Sequence, residues 1–380
     1  MVDVSEPTVT IARSDFGEAL DVFMQVSPRS TPGDAREQLV SMAQEAERAL
    51  HGQGLDSSDI VSGWIRFAEA PRWNWRDVLS KVLKTASPLP ITGVVQPPAV
   101  TSHKCVLELQ AVKGAQPGRA LQSVSGNAVE SLVQRGGVNH LRLMTVVPRK
   151  ELGTTASFNE LAYDMFAQAR DALFAHGLDF SNVVRTWIHV SDIESNYAAL
   201  NHARNRFCKE QGLARLPAST CVEGTPVGVA SPVAMDVYAV TTHPELHVEP
   251  LCSETMGEAT AYGVAFSRAI RLDEPGQRRL FVSGTASIDT QGNVVSVGDP
   301  QGQLGCMFRN VHALLDRAGM GIADVLSATM YLKRAAYLDA FVEAARENGL
   351  ASRVPCAIVV THICRPEWLC EIELCAARSG

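Results

Sequence analysis

The chain has 380 residues, 46% of them hydrophobic and 20% charged, which excludes a disordered or fibrous protein and exceeds one ordinary core, so two or three domains are expected. Its 34 basic and 41 acidic side chains leave a net charge of -7, and no basic cluster is able to track a phosphate backbone, so nucleic acid is not expected as a partner. No apolar run approaches the roughly 20 residues of a membrane helix, and Met1-Val2-Asp3-Val4-Ser5-Glu6 lacks the basic-then-apolar order of a signal peptide. A cytoplasmic protein without a membrane partner is the expectation. The nine cysteines contain no C-x-x-C pair, so reduced thiols are expected in place of a disulfide framework or a zinc knuckle.

In chain order the same unit is written three times. Its first strand is Val22–Ser27, then Leu141–Val146, then Leu280–Gly284. An amphipathic helix follows, ending in Glu47–Gly54, Arg170–Gly177 and His312–Gly319; each ends on a glycine, the residue that takes a left-handed conformation without strain. Six residues after each glycine a β-branched residue, Ile60, Val183 or Val325, opens the next strand. A second helix and a closing strand complete the unit, at Leu107–Ala111, Met235–Ala239 and Cys370–Cys375. Strands and helices in this order predict an α+β fold with the helices on one face of each sheet. The linkers are read at Lys113–Gly118 and in the polar stretch Thr241–Thr260, which gives domains over residues 1–114, 120–243 and 257–380.

The third unit resembles the RidA/YjgF family through Leu280-Phe281-Val282-Ser283-Gly284, Gly292, Gly298-Asp299, Gln303, Asn310, Ala318-Gly319, Asp324-Val325, Tyr331-Leu332 and Glu371-Ile372-Glu373. The second unit resembles it through Ala175-His176-Gly177-Leu178 and Pro217–Glu223, and the first more weakly, ending at Leu107-Glu108-Leu109. The family implies a trimer whose sheets form a central β-barrel with outer helices and clefts between subunits. Three tandem copies then imply a single-chain pseudo-trimer, as a monomer or a low homo-oligomer.

Units two and three are also similar to the chorismatases, enzymes that remove pyruvate from chorismate. The shared pieces are Arg185-Thr186-Trp187, Phe266-Ser267-Arg268-Ala269, Ser283–Ile288, Gly298-Asp299 with Gly302-Gln303, and Ile363-Cys364-Arg365 seven positions before Glu371-Ile372-Glu373. Gly284 and Cys364 match the members that make 3-hydroxybenzoate. The resemblance makes Glu371 the acid, Cys364 a group acting on a ring intermediate, and Gly284 a residue leaving room for the substrate ring. Chorismate is a dianion, so cations are needed to hold it. Arg185, Arg204 and Arg268 are the candidates, and Glu373, on the same strand face as Glu371, joins the substrate-binding set. Glu108 and Asp236 are read as the counterparts of Glu371 in the other units.

Other readings compete. Imine deaminases of the family use an arginine after the Pro-Ala of the fourth strand, where this chain has Ser219, about Ala357, and Ile91 or Thr92; without that guanidinium the bidentate carboxylate grip is missing. A non-catalytic binder of a small metabolite is the third reading. Residue by residue, the plain alternatives are a salt-bridge role for the arginines, a buried apolar role for Cys364, and a bulge or close strand packing for Gly284. His243-Pro244-Glu245-Leu246-His247 is read as a solvated linker and not as a metal site. No P-loop, dinucleotide fingerprint, H-E-x-x-H or nucleophile elbow is present, so no cofactor is expected.

Overall fold

The computed structural model describes residues 9–16, 19–28, 33–85, 88–113, 120–122, 128–149, 156–350 and 352–379. Unit one contains β1 (Val9–Phe16), β2 (Ala19–Val26), α1 (Ala35–Gly52), β3 (Ile60–Phe67), α2 (Trp75–Val82), β4 (Ile91–Val95) and β5 (Cys105–Lys113). Unit two contains β6 (Ala120–Gln122), β7 (Val129–Arg135), β8 (Val138–Val146), α3 (Phe158–Ala175), β9 (Val183–Val190), α4 (Ile193–Glu210), β10 (Ala218–Glu223), β11 (Thr225–Pro226) and β12 (Val233–Val240). Unit three contains β13 (His247–Leu251), β14 (Ala269–Glu274), β15 (Gln277–Ala286), α5 (Pro300–Arg317), β16 (Val325–Leu332), α6 (Leu338–Glu347), β17 (Cys356–Val360) and β18 (Cys370–Ser379).

The long helices form for the reasons visible in the repeat. Asp34, Ser157 and Asp299 cap α1, α3 and α5 by accepting first-turn N–H groups. The glycine after each helix, Gly54, Gly177 or Gly319, takes φ of 69°, 70° and 69°, the left-handed region where a side chain is strained. Leu39, Met42, Ala46 and Leu50 on α1 recur at helical spacing and are buried against the sheet. Fully burying one such leucine or methionine stabilises the fold by about 1.5–3 kcal/mol, so a charge at Met42 is the kind of change that breaks the layer.

The strand order β1-β2-β5-β3-β4 recurs as β7-β8-β12-β9-β10 and as β14-β15-β18-β16-β17. In each unit one parallel pair, β3–β4, β9–β10 or β16–β17, is joined by a crossover through the second helix, and the remaining pairs are antiparallel. The chain therefore folds as three tandem RidA-like α+β units. Two features depart from the sequence reading. The stretch Thr241–Thr260, read as a linker, supplies β13, which pairs with β14 at the edge of sheet three; Pro250 is tolerated there because an edge strand has one unpaired side. Within His243–His247, read as a solvated linker, His247 opens that strand and is exposed, while His243 Nδ1 accepts the Glu245 N–H at 3.3 Å. The second departure is β11, which belongs to unit two by sequence but pairs with β4 of unit one.

The three sheets are bonded backbone to backbone in a ring. β11 ties unit two to unit one, bridges at Ala218–Ser267 and Val222–Ile363 tie unit two to unit three, and a bridge at Pro98–Val359 ties unit three to unit one. Near the axis a buried charge network joins all three: Asp21 accepts from Arg135 at 2.9 Å and Arg279 at 2.7 Å, and Glu274 contacts Arg279 at 3.1 Å and His140 at 3.2 Å. The two arginines hold the Asp21 carboxyl below its usual range against the burial that would raise it. Burial first, then Arg135, pushes His140 down to about 3, so it is neutral at pH 7. Between the sheets lies an axial cavity of about 80 Å³ that residues of all three units line, among them Trp64, Arg185 and Thr329. Among the described residues no helix is long and apolar enough to cross a membrane.

Candidate active site

The register of each closing strand decides which acids are counterparts. Trp64 pairs with Glu108 across β3–β5, Trp187 with Asp236 across β9–β12, and Thr329 with Glu373 across β16–β18. Glu108, Asp236 and Glu373 therefore occupy one position. The counterparts of Glu371, opposite Arg66, His189 and Tyr331, are Val106 and Ala234. This corrects the sequence reading, which matched Glu108 and Asp236 to Glu371: both glutamates of Glu371-Ile372-Glu373 lie on one strand face, and alternation alone cannot choose between them. Only the junction of units two and three carries a carboxyl at the 371 position.

Glu371 is 3% exposed. Burial, then the negative charge of Glu373, pushes its pKa up to about 8 against the opposing pull of Arg185 and Arg268, so the carboxyl holds its proton at pH 7. Space for it comes from a bulge. The β15–β18 register breaks between Val282 and Thr285, which frees the Gly284 N–H to donate to Thr220 Oγ1 at 2.9 Å across the junction. A Cβ built on Gly284 would clash with Glu371 Oε1, far inside van der Waals contact distance. The space that glycine leaves is filled here by the acid itself.

Cys364 lies in the loop between β17 and β18. The Val222–Ile363 bridge and the Glu223 N–H donated to His362 O at 3.1 Å dock that loop on β10. Its thiol packs against the cores of units two and three. Burial first, then the neighbouring Glu371, raises its pKa, and the Tyr197 hydroxyl is hydrogen-bonded to it. The thiol is therefore protonated and not a standing thiolate.

Arg204 on α4 is 3% exposed, and its guanidinium carbon lies 5.8 Å from the Phe266 ring centre. Its Nε has no hydrogen-bond partner among the described residues, an open donor that a ligand can fill. Arg268 is 2% exposed, lies 5.5 Å from the same ring and 5.3 Å from Tyr262, and donates from Nε to Gly257 O at 2.9 Å. Arg185 is differently placed, although its Nη1, like the Arg204 Nε, has no hydrogen-bond partner among the described residues. Its Nη2 donates to both Glu373 and Thr220 Oγ1, its guanidinium lies 5.0 Å from the Trp187 ring, and the Tyr331 hydroxyl occupies the other Glu373 oxygen at 2.9 Å.

The junction thus brings together Glu371, Cys364, Gly284, Arg204 and Arg268, with the Arg185–Glu373 pair behind them. Sequence reasoning gave no role to Tyr197, Thr220, Tyr262, Phe266 or Arg365. Arg365 donates to Gly292 O at 2.7 Å and lies 4.9 Å from Tyr262. A signal existed for Tyr197, which stands seven residues before Arg204 on α4 and so on the same helix face. The family motif residues Gln303 and Asn310 turn out to be struts. Gln303 bonds the Glu367 carbonyl at 2.9 Å and the Leu369 N–H at 2.8 Å, bracing the entry to β18, and Asn310 donates to Ala286 O and Ile288 O after β15.

Repeated units of this topology with a titratable site at a unit junction define the class. The family profile described as endoribonuclease L-PSP matches residues 145–241 and again 257–378, more than half the chain, and the chain belongs to that family, known also as RidA/YjgF. A crystal structure of a chorismatase superposes with a TM-score of 0.63 at 18% identity, covering 84% of this chain and 93% of that one, and shares its fold. RidA from the Antarctic bacterium Psychrobacter sp. PAMC 21119 matches at 18% identity over 34% of this chain and 98% of its own, with a TM-score of 0.28. Yeast Mmf1 matches at 15% identity over 34% and 98%, with a TM-score of 0.30.

Proposed function

We propose that the protein is a chorismatase-like enzyme that releases pyruvate from chorismate or a related enolpyruvyl cyclohexadiene at the junction of units two and three. The observation that carries this reading is Glu371, a buried carboxyl that keeps its proton near pH 8, set beside Cys364 and two aromatic-backed guanidiniums. Cleavage of an enol ether starts with a proton delivered to the methylene carbon, and a neutral carboxylic acid in a dry site is suited to that step. Arg204 and Arg268 hold the two carboxylates, one on the ring and one on the enolpyruvyl group, with charge-assisted bonds. Water adds to the cationic carbon beside the ether oxygen, the hemiketal collapses to pyruvate as the ether oxygen leaves with the ring, and the ring later gives up its other hydroxyl as water to become aromatic. Cys364 then acts on the ring intermediate, and 3-hydroxybenzoate is the expected product; pyruvate and a hydroxybenzoate together contain the atoms of chorismate.

Enamine or imine hydrolysis of the RidA type is less well supported. None of β4, β10 and β17 carries an arginine, so that reaction's usual carboxylate grip has no residue to supply it. The test is incubation of purified protein with chorismate, with pyruvate followed by a coupled assay and the ring product identified against hydroxybenzoate and dihydrodiol standards. Pyruvate with 3-hydroxybenzoate supports the whole reading, and the dihydrodiol keeps the reaction class while removing the role of Cys364. Thermal stabilisation by chorismate without turnover makes the protein a binder.

A further inference from the structure

The three junctions share one construction, and it assigns two residues that the sequence placed among the substrate ligands. At each junction the acid of the closing strand is reached by a donor of the neighbouring unit: Thr329 Oγ1 to Glu108 at 3.0 Å, Trp64 Nε1 to Asp236 at 2.8 Å, and Arg185 to Glu373. A matching residue of its own sheet faces the same acid: Arg66 for Glu108, His189 at 3.8 Å for Asp236, and Tyr331 for Glu373. Glu108 and Asp236 do this with no carboxyl at the 371 position beside them. A clasp on the acid thus recurs at all three junctions, with Arg185 two residues before Trp187, the counterpart of Trp64 and Thr329, as its donor in the third, where both Glu373 oxygens are taken by protein donors.

We infer that Arg185 and Glu373 are a positioning pair that sets the place and protonation of Glu371 without touching the substrate. This rests on the reading of Glu371 as the reacting acid. The geometry runs through one hydroxyl: Arg185 Nη2 bridges Glu373 and Thr220 Oγ1, Thr220 Oγ1 accepts the Gly284 N–H, and Gly284 is the floor on which the Glu371 carboxyl sits. Electrostatics adds to it. Around Glu371 stand Glu373 and Cys370 on its own strand, Tyr331 on β16, Arg185 on β9, Cys221 on β10, Arg268 before β14, and Cys364 in the loop. Glu373 is the one neighbouring group among these that carries negative charge at pH 7, and a like charge favours the neutral form of Glu371.

The experiment reads Glu371 directly. Its neutral-acid carbonyl band, identified in infrared spectra by its loss in Glu371→Gln, is titrated with pH in the wild type, Glu373→Gln, Arg185→Lys and Thr220→Val, without substrate. In parallel, kcat and KM for pyruvate release from chorismate are measured on the same proteins. Glu373→Gln is expected to move the midpoint down by roughly one unit and to lower kcat more at pH 8 than at pH 6, with KM within twofold. Arg185→Lys, which keeps the cation, retains most of kcat, while Thr220→Val loses kcat at unchanged KM. A tenfold rise in KM with an unmoved midpoint would overturn the assignment and make the pair substrate ligands. The two readings fail separately. A midpoint that moves in a protein without turnover keeps the positioning role and removes the chorismate reaction, and an unmoved midpoint in an active enzyme does the reverse. If Glu373→Gln does not fold, Thr220→Val tests the positioning role through kcat against KM without disturbing a charge, a rise in KM at unchanged kcat counting against it.

Discussion

The junction of units one and two is built like that of units two and three, and the differences between them show what turns a clasp into a site. Both have a bulge in the second strand of the unit, at Thr145 and at Gly284, whereas β2 and β5 of unit one pair without a break. At Thr145 the backbone is held at φ 63° and its N–H donates to Asp236 at 2.6 Å; a non-glycine residue tolerates that conformation only where its surroundings enforce it. With Ala234 in place of Glu371, nothing needs the space a glycine would leave. Asp236 also takes Thr92 Oγ1 at 2.6 Å and the Trp64 indole, so its carboxylate is fully engaged in joining the units. Glu371 has no such set of donors. It remains neutral because burial and Glu373 outweigh the arginines, and the same construction yields a fastener at one junction and an acid at the other.

The contrast is open to attack from both sides. The largest effect is expected at the fastener: Asp236→Ala strands two buried donors and the part-buried Trp64 indole and should cost about 3 kcal/mol or more of stability, read as a fall in the denaturation midpoint, with kcat of the folded fraction unchanged. A loss of kcat equal to that of Glu371→Gln would erase the distinction. Next is Gly284→Ala, whose new methyl displaces the Glu371 carboxyl; a misplacement of this kind is expected to cost on the order of 100-fold in kcat with little change in melting temperature. Full activity in that variant would mean that Glu371 does not react from the position it occupies.

The smallest effect is a slope. A carboxyl whose folded pKa is raised binds its proton more tightly in the native state, so its contribution is complete below the unfolded value near 4.5 and is lost as pH rises through about 8. The stability of the wild type relative to Glu371→Gln should therefore fall across that window, by at most about 1.4 kcal/mol per pH unit. Taking the difference between the two proteins removes the opposite trend of His140, which is held neutral and favours the folded state at higher pH.

Much of the fold was legible because it depends on local signals that recur: the amphipathic helix, the glycine after it, and the β-branched residue that opens the next strand. The site was legible in composition and not in register. Glu371, Cys364, Gly284, Arg204 and Arg268 do meet at one junction, but strand alternation could not tell whether Glu108 matches Glu371 or Glu373, since residues two apart share a face. A bulge adds one residue without changing the hydrophobic pattern, so the break at Gly284 was legible only as one of two plain readings of a glycine in a strand. The salt-bridge alternative for Arg185 had no named partner in the sequence because that partner lies on another sheet, 188 positions away in the chain. β13 was read as linker because an exposed edge strand with a proline has the composition of a loop.

The most direct measurement is the pH dependence of kcat/KM for pyruvate release from chorismate, taken for the wild type and Glu371→Gln. The expected profile is a plateau that falls above about pH 8 as Glu371 loses its proton, and a rate at least 100-fold lower in the glutamine variant. A wild-type rate that stays level through that range, or a Glu371→Gln protein that turns over normally, would contradict the claim that one buried neutral carboxyl makes this junction an active site.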